Sequence, residues 1–130
     1  MALTSHNPGG VFPPYAGYAH AIEVPPGART VYVSGLNGYE ADGVTLPPDF
    51  AGQARLIWRH LGVVLASARM TYDDLVLLRF FLASAADDPA NVAILRDHLG
   101  EHRAARTVVV QQLLEPGWLL EVEAVAAKVD

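Results

Sequence analysis

The sequence predicts a single α+β domain over residues 1–130, with a mixed β-sheet and two helices packed on one face, in the order β-β-α-β-α-β-β. Three observations lead there. The length is that of a common single domain with one core. Two stretches carry apolar residues at helical spacing, whereas the others are β-rich or alternate with period two. Short Pro- and Gly-containing clusters separate these stretches and read as turns.

Each element has a local cause. His20–Val24 and Thr30–Ser34 are β-rich runs separated by Pro25-Pro26-Gly27, close enough in sequence to form a hairpin. Gly38 to Pro48 reads as a mobile loop. From Asp49 the period changes. Phe50, Ala54, Ile57, Leu61, Val64, Leu65 and Ala68 fall on one helical stripe, with Gln53, Arg55 and Arg59 off it. The Asp49 carboxylate is placed to accept bonds from the orphan N–H groups of the first turn. Leu75–Leu82, after Asp73-Asp74, reads as a mostly buried strand.

The second helix is punctuated by Asp88 as cap, Pro89 at the first helical position and Gly100 as a left-handed stop, with Val92, Leu95 and Leu99 as its stripe. Strands over Arg106–Leu114 and Leu119–Val129 follow, divided by Glu115-Pro116-Gly117. Strand-helix-strand crossovers of one hand lay both helices on the same sheet face. The other face stays uncovered. With 52% hydrophobic and 18% charged residues, burying that face against copies of the chain is expected, which predicts a homo-oligomer.

Composition also narrows function. A net charge of −5 opposes non-specific phosphate binding, which needs clustered Lys and Arg, so nucleic acid is not an expected partner. The absence of cysteine excludes disulfides, thiolate catalysis and Cys-ligated zinc within these residues. The first ten residues lack a cationic start and an apolar stretch, and no run reaches the roughly 18 apolar residues that span a bilayer. A cytoplasmic location without membrane association is expected.

Several residues could carry chemistry. Arg106 opens an otherwise nearly uncharged strand, and a lone guanidinium there can hold a carboxylate in two parallel hydrogen bonds; a surface ion pair is the other reading. Glu121 and Glu123 alternate with Leu120, Val122 and Ala124, so both carboxylates share one sheet face. A half-buried Glu there can act as general base, or the face is simply solvated. Tyr15, Tyr18 and His20 lie beside a Gly-containing loop, as a pocket lid or as packing groups. Ser34-Gly35 ends the second strand, where Gly permits either close ligand approach or a plain turn. His98 and His102 are four apart, but Gly100 lies between them where a helix should end, which favours a structural role over metal ligation.

Taken together, Gly17-Tyr18-Ala19-His20-Ala21, Val33-Ser34-Gly35, the helix containing Gln53, Ala105-Arg106-Thr107 and Leu120-Glu121-Val122-Glu123-Ala124 resemble the RidA/YjgF/YER family, over about Tyr18 to Ala127. The resemblance implies a chorismate-mutase-like fold, a homotrimer with clefts between subunits, and hydrolysis of reactive imines and enamines such as 2-aminoacrylate to 2-oxo acids and ammonia. It implies no metal and no cofactor. Residue by residue, Arg106 would bind the substrate carboxylate, Glu121 would position or activate water, and Tyr18 would line the cleft. Ser34 and the Gly35 backbone would contact substrate, and the Val108 main chain would orient the water or leaving nitrogen. The expected site is a hollow at a protomer boundary shared by Arg106 and Glu121. The sequence departs from the family pattern at Ala19, Leu36, Val92 and Ala104, all placed at the pocket rim.

Overall fold

In a computed structural model, which describes residues 2–130, eight principal elements follow one another. They are β1 (Thr4–His6), β2 (Ala21–Glu23), β3 (Arg29–Asn37), α1 (Phe50–Ser67), β4 (Leu75–Leu82), α2 (Asp88–Leu99), β5 (Ala105–Val110) and β6 (Leu120–Lys128). The main sheet has the order β3-β6-β4-β5. Strand β6 runs antiparallel to both β3 and β4, and β5 is parallel to β4. Hence β3-α1-β4 and β4-α2-β5 are both crossover units between parallel strands, and α1 and α2 pack together on one face of a mixed sheet. The predicted α+β class is the observed one.

Helix α1 forms where the apolar stripe begins, with the Asp49 carboxylate accepting from Gly52 N at 3.0 Å. It buries Phe50, Ala54, Ile57, Trp58, Leu61 and Leu65 against Leu78, Phe80 and Leu82 of β4 and Leu120 and Val122 of β6. Trp58 lies at the centre, stacked on His98 of α2 with ring centroids 5.0 Å apart. The Tyr72 hydroxyl donates to Trp58 O, and burial raises its pKa. No helix among the described residues is long and apolar enough to cross a membrane.

Four sequence expectations need correction or refinement. First, β2 does not form a hairpin with β3. It pairs antiparallel with β1, Ser5 opposite Ile22, in a separate two-stranded sheet, because the N-terminal residues compete for the same strand edge. Second, residues 38–48 form the loop expected there, and it carries a local turn that the sequence reading did not foresee, Glu40 N donating to Thr45 O at 2.8 Å. Asp42 accepts from Val44 N, Thr45 N and the Thr45 hydroxyl, which lower its pKa, the hydroxyl most. Third, Gln53 lies off the apolar stripe yet is fully buried. Its Nε2 donates to Pro47 O (2.8 Å) and Gly117 O (2.9 Å), and its Oε1 accepts from Leu119 N (2.9 Å). The amide thus fastens α1 to the turn before β6. Fourth, β5 stops at Val110 rather than Leu114, and α2 starts with Asp88 itself inside the helix, its N-cap being Asp87. Gly100 ends α2 as expected, with φ 57° but ψ −123°, a positive-φ conformation open to glycine rather than the left-handed helical one.

The helix-free face of the sheet carries Tyr32, Leu77, Phe81, Val109 and Val125, with an Arg79–Glu123 ion pair (2.8 Å) among them. Tyr32 is 80% exposed. This is the uncovered apolar face anticipated from composition.

Candidate functional site

Two clusters contain the predicted site residues. The first surrounds Arg106 on the edge strand β5. The chain before β2 folds back along this edge, and Ala19 N donates to Ala104 O at 3.1 Å. Ala16 and Gly17 take φ of 56° and 80°, and the resulting bend brings Tyr18 and Tyr15 to the arginine. The Tyr18 ring centre lies 5.4 Å from Arg106 Cζ, and Arg106 Nη2 donates to Tyr15 O at 3.3 Å. Burial lowers the Arg106 pKa first, with nearby Arg96 adding to the effect while Asp88 and Tyr18 oppose it. Among the described residues no carboxylate comes within ion-pair distance of Arg106. A half-buried guanidinium without a carboxylate partner, held by an aromatic face, can receive an external one.

The second cluster surrounds Glu121 on β6. Its Oε2 accepts from Asn37 Nδ2 at 3.1 Å. The β3–β6 register shifts between Val33 and Leu36, so Ser34 and Gly35 form an irregularity inside β3 instead of ending the strand. A Cβ at Gly35 would collide with Glu121 Oε1. Glycine here makes room for the carboxylate of this same chain, where the sequence had left close ligand approach and a plain turn as the alternatives. Glu121 also borders a hollow of about 580 Å³ with Phe81, Gln111, Gln112, Leu113 and Leu114. Glu123, on the same face as expected, is engaged by Arg79.

The two clusters do not meet within one chain. Arg106 pairs with Leu78, which pairs with Ala124, and that row points toward the helices. Glu121 pairs with Phe81, which pairs with Val109, and that row points away from them. Residues directly opposite share a face and neighbours along a strand alternate, so Arg106 and Glu121 project from opposite sides of the sheet. A hollow lined by both in a single protomer is therefore excluded. Only an arrangement in which one copy contributes Arg106 and a neighbour contributes Glu121 can use them together.

The remaining predicted residues sort between the clusters. Val108 shares the helix-side face with Arg106 and packs partly against the core; its strand is an edge, with backbone groups open on one side. His20 Nε2 bonds Phe12 O at 2.6 Å, and its ring meets Tyr18 edge-on at 5.5 Å, which braces the tyrosine. His98 Nδ1 and His102 Nε2 contact Ile94 O and Leu75 O, each at 2.7 Å, so both rings serve structure. Sequence reasoning missed Asn37. Its position four residues beyond Val33 gives no sign, because the β3 irregularity decides which side it faces. Asn91, one position from the rim residue Val92, is fully buried in α2, and among the described residues neither of its side-chain polar atoms meets a protein partner.

The chain matches the endoribonuclease L-PSP family over residues 10–128. The 3-aminoacrylate deaminase RutC of Acinetobacter baylyi is 32% identical over 120 residues, which span 92% of this chain and 93% of that protein. A Rid-family protein of Yersinia pestis, YyfB, is 30% identical and superimposes with a TM-score of 0.87, covering 98% of this chain and all of its own. RidA from the Antarctic bacterium Psychrobacter sp. shares the fold, with a TM-score of 0.73 at 24% identity over 85% of this chain and 88% of that one.

Proposed function

The chain belongs to the endoribonuclease L-PSP family, the RidA/YjgF group, and on that premise we propose that it hydrolyses reactive 2-imino and enamine acids, of the 2-aminoacrylate type, to 2-oxo acids and ammonia. The observation that carries the reading is the half-buried Arg106 guanidinium, left without a carboxylate partner beneath Tyr18. The similarity to a 3-aminoacrylate deaminase supports it.

In this reading the active unit is a homotrimer in which the helix-free sheet faces are covered by neighbouring copies. Arg106 of one copy grips the substrate carboxylate in two parallel hydrogen bonds. Glu121 of the next, steadied by Asn37, takes a proton from water as the water oxygen bonds to the imine carbon. A protonated imine carbon is already electrophilic, so alignment of water is the main requirement. The proton then passes to the nitrogen of the tetrahedral adduct; as the C–N bond breaks, the adduct's hydroxyl gives its proton back to Glu121 and becomes the new C=O, releasing ammonia and a 2-oxo acid. No metal or cofactor enters these steps. Tyr18, Ser34, Gly35 and the Val108 main chain line the cleft.

The second reading is a non-catalytic module that binds a small carboxylate. The Arg106 half of the site is complete within one chain and needs no Glu121, and this favours it. Ribonuclease action, named in the family description, receives no support from a net charge of −5. RNA binding that survives physiological salt would revive it.

The test is ammonia release from an imine generated in situ by an amino-acid oxidase. Arg106→Ala is expected to lose at least about tenfold in kcat/KM, since removing one partner of a buried charge pair costs about 2–5 kcal/mol. Unchanged release would contradict the proposal. A ligand-induced melting shift without turnover, in the unaltered protein, would select the binding module.

A further inference from the structure

Arginine is unevenly distributed around the bend at residues 15–18. Although the chain is acidic overall, three of its nine Lys and Arg side chains come to this one loop. Arg106 lies against Tyr15 and Tyr18. Arg96 and Arg103 flank Gly17: a Cβ built there would be 3.9 Å from Arg96 Nε and 3.8 Å from Arg103 Nε. With φ of 80° and no side chain, Gly17 leaves the space between these guanidiniums open.

The three are not equivalent. Arg103 Nη1 donates to the carbonyls of Gly100, Glu101 and His102, and the residue also borders a hollow containing Asp73, Asp74 and Glu101. Its charge is committed elsewhere. Arg96 is different. It projects from α2 on the same stripe as Val92 and Asp88, four and eight residues before it, and Asp88 and Arg96 both act electrostatically on Arg106. Among the described residues the Arg96 guanidinium has no ion pair, whereas Asp97, the next residue, is taken by Arg55. Asp88 is the one carboxylate that acts on Arg106, and neither Arg106 nor Arg96 forms an ion pair among the described residues. A substrate with a single carboxylate satisfies Arg106 and leaves Arg96 unpaired beside it.

We infer that this site selects substrates with a second anionic group, namely imines of amino-dicarboxylic acids, and that Arg96 is the residue that reads that group. Arg106 holds the carboxylate next to the C=N carbon, and the distal carboxylate extends past Tyr18 toward Gly17, where Arg96 meets it. Val92, the neutral member of the stripe, lies between Asp88 and Arg96 and offers no competing polar contact. The catalytic part of this inference rests on the deaminase reading; the binding part does not.

The experiment compares chain-length-matched substrates: the imines formed by suitable amino-acid oxidases from glutamate and from norvaline. The unaltered protein should show the higher kcat/KM for the glutamate imine. Arg96→Gln should lower the glutamate-to-norvaline selectivity ratio by about fivefold, the upper range for a solvent-exposed ion pair, through KM rather than kcat. Arg96→Lys should recover part of it. No preference in the unaltered protein, or a ratio insensitive to Arg96→Gln, overturns the inference. If neither imine is turned over, the catalytic part of the inference falls and melting shifts decide the binding part alone. A larger shift with 2-oxoglutarate than with 2-oxopentanoate, abolished in Arg96→Gln, supports it; equal shifts refute it.

Discussion

Replacing Gly35 by alanine separates the chemistry of the Glu121 carboxylate from the stability of the fold. The added Cβ would collide with Glu121 Oε1 and lie 3.0 Å from its Cδ and 3.2 Å from its Cγ. The side chain must therefore swing outward, moving the carboxylate by about 1 Å and breaking its bond to Asn37, and a misplacement of that size costs about 10²-fold in rate. The fold itself pays little. Gly35 is outside the left-handed region, so alanine is compatible with the backbone and lowers unfolded-state freedom by about 0.4–1 kcal/mol, which offsets the rotation of one side chain. For a chain of 130 residues, the melting temperature should stay within about 4 °C of the parent. Steady-state deamination of an oxidase-generated imine, measured alongside calorimetry, reads both quantities. Activity within threefold of the parent, or a loss that appears only with a collapse in melting temperature, would refute the reasoning.

Other substitutions probe the framework that holds the two clusters. Gln53→Leu strands Pro47 O, Gly117 O and Leu119 N; at about 1 kcal/mol for each lost bond it should destabilise by about 3 kcal/mol, near 11 °C in a thermal melt. A shift under 3 °C would show that solvent replaces the amide. Asn91→Leu has nearly the same branched shape without the two unpartnered polar atoms, so denaturant titration should find it neutral or stabilising by up to about 2 kcal/mol. A loss of more than about 2 kcal/mol would show that the amide is satisfied in solution.

How far the sequence discloses this architecture depends on whether a feature is local. The stripe from Phe50 to Leu65, the Asp49 cap, the position of the Gly100 stop and the shared face of Glu121 and Glu123 are properties of one segment, and each stands as read. Gln53 was misplaced because a single stripe describes a helix with one partner, whereas α1 meets the sheet on one side and the turn before β6 on another. The β2–β3 hairpin failed for a related reason. The Pro25-Pro26-Gly27 turn is local, but strand partnership is settled by competition, and β1 takes β2 instead. The opposed directions of Arg106 and Glu121 are the most instructive case. Alternation fixes facing along a strand, but the relative facing of β5 and β6 depends on their separate registers with β4. No pattern in either strand alone contains that information.

Subunit complementation tests the shared-site account most directly. Arg106→Ala and Glu121→Gln, each expected to be strongly impaired alone, are co-expressed and purified as mixed oligomers. If every site takes its guanidinium from one copy and its carboxylate from the next, random assembly at equal ratio restores about a quarter of the sites, and ammonia release should return to about a quarter of the parental rate. Mixed oligomers no more active than either variant would contradict a site built from two chains.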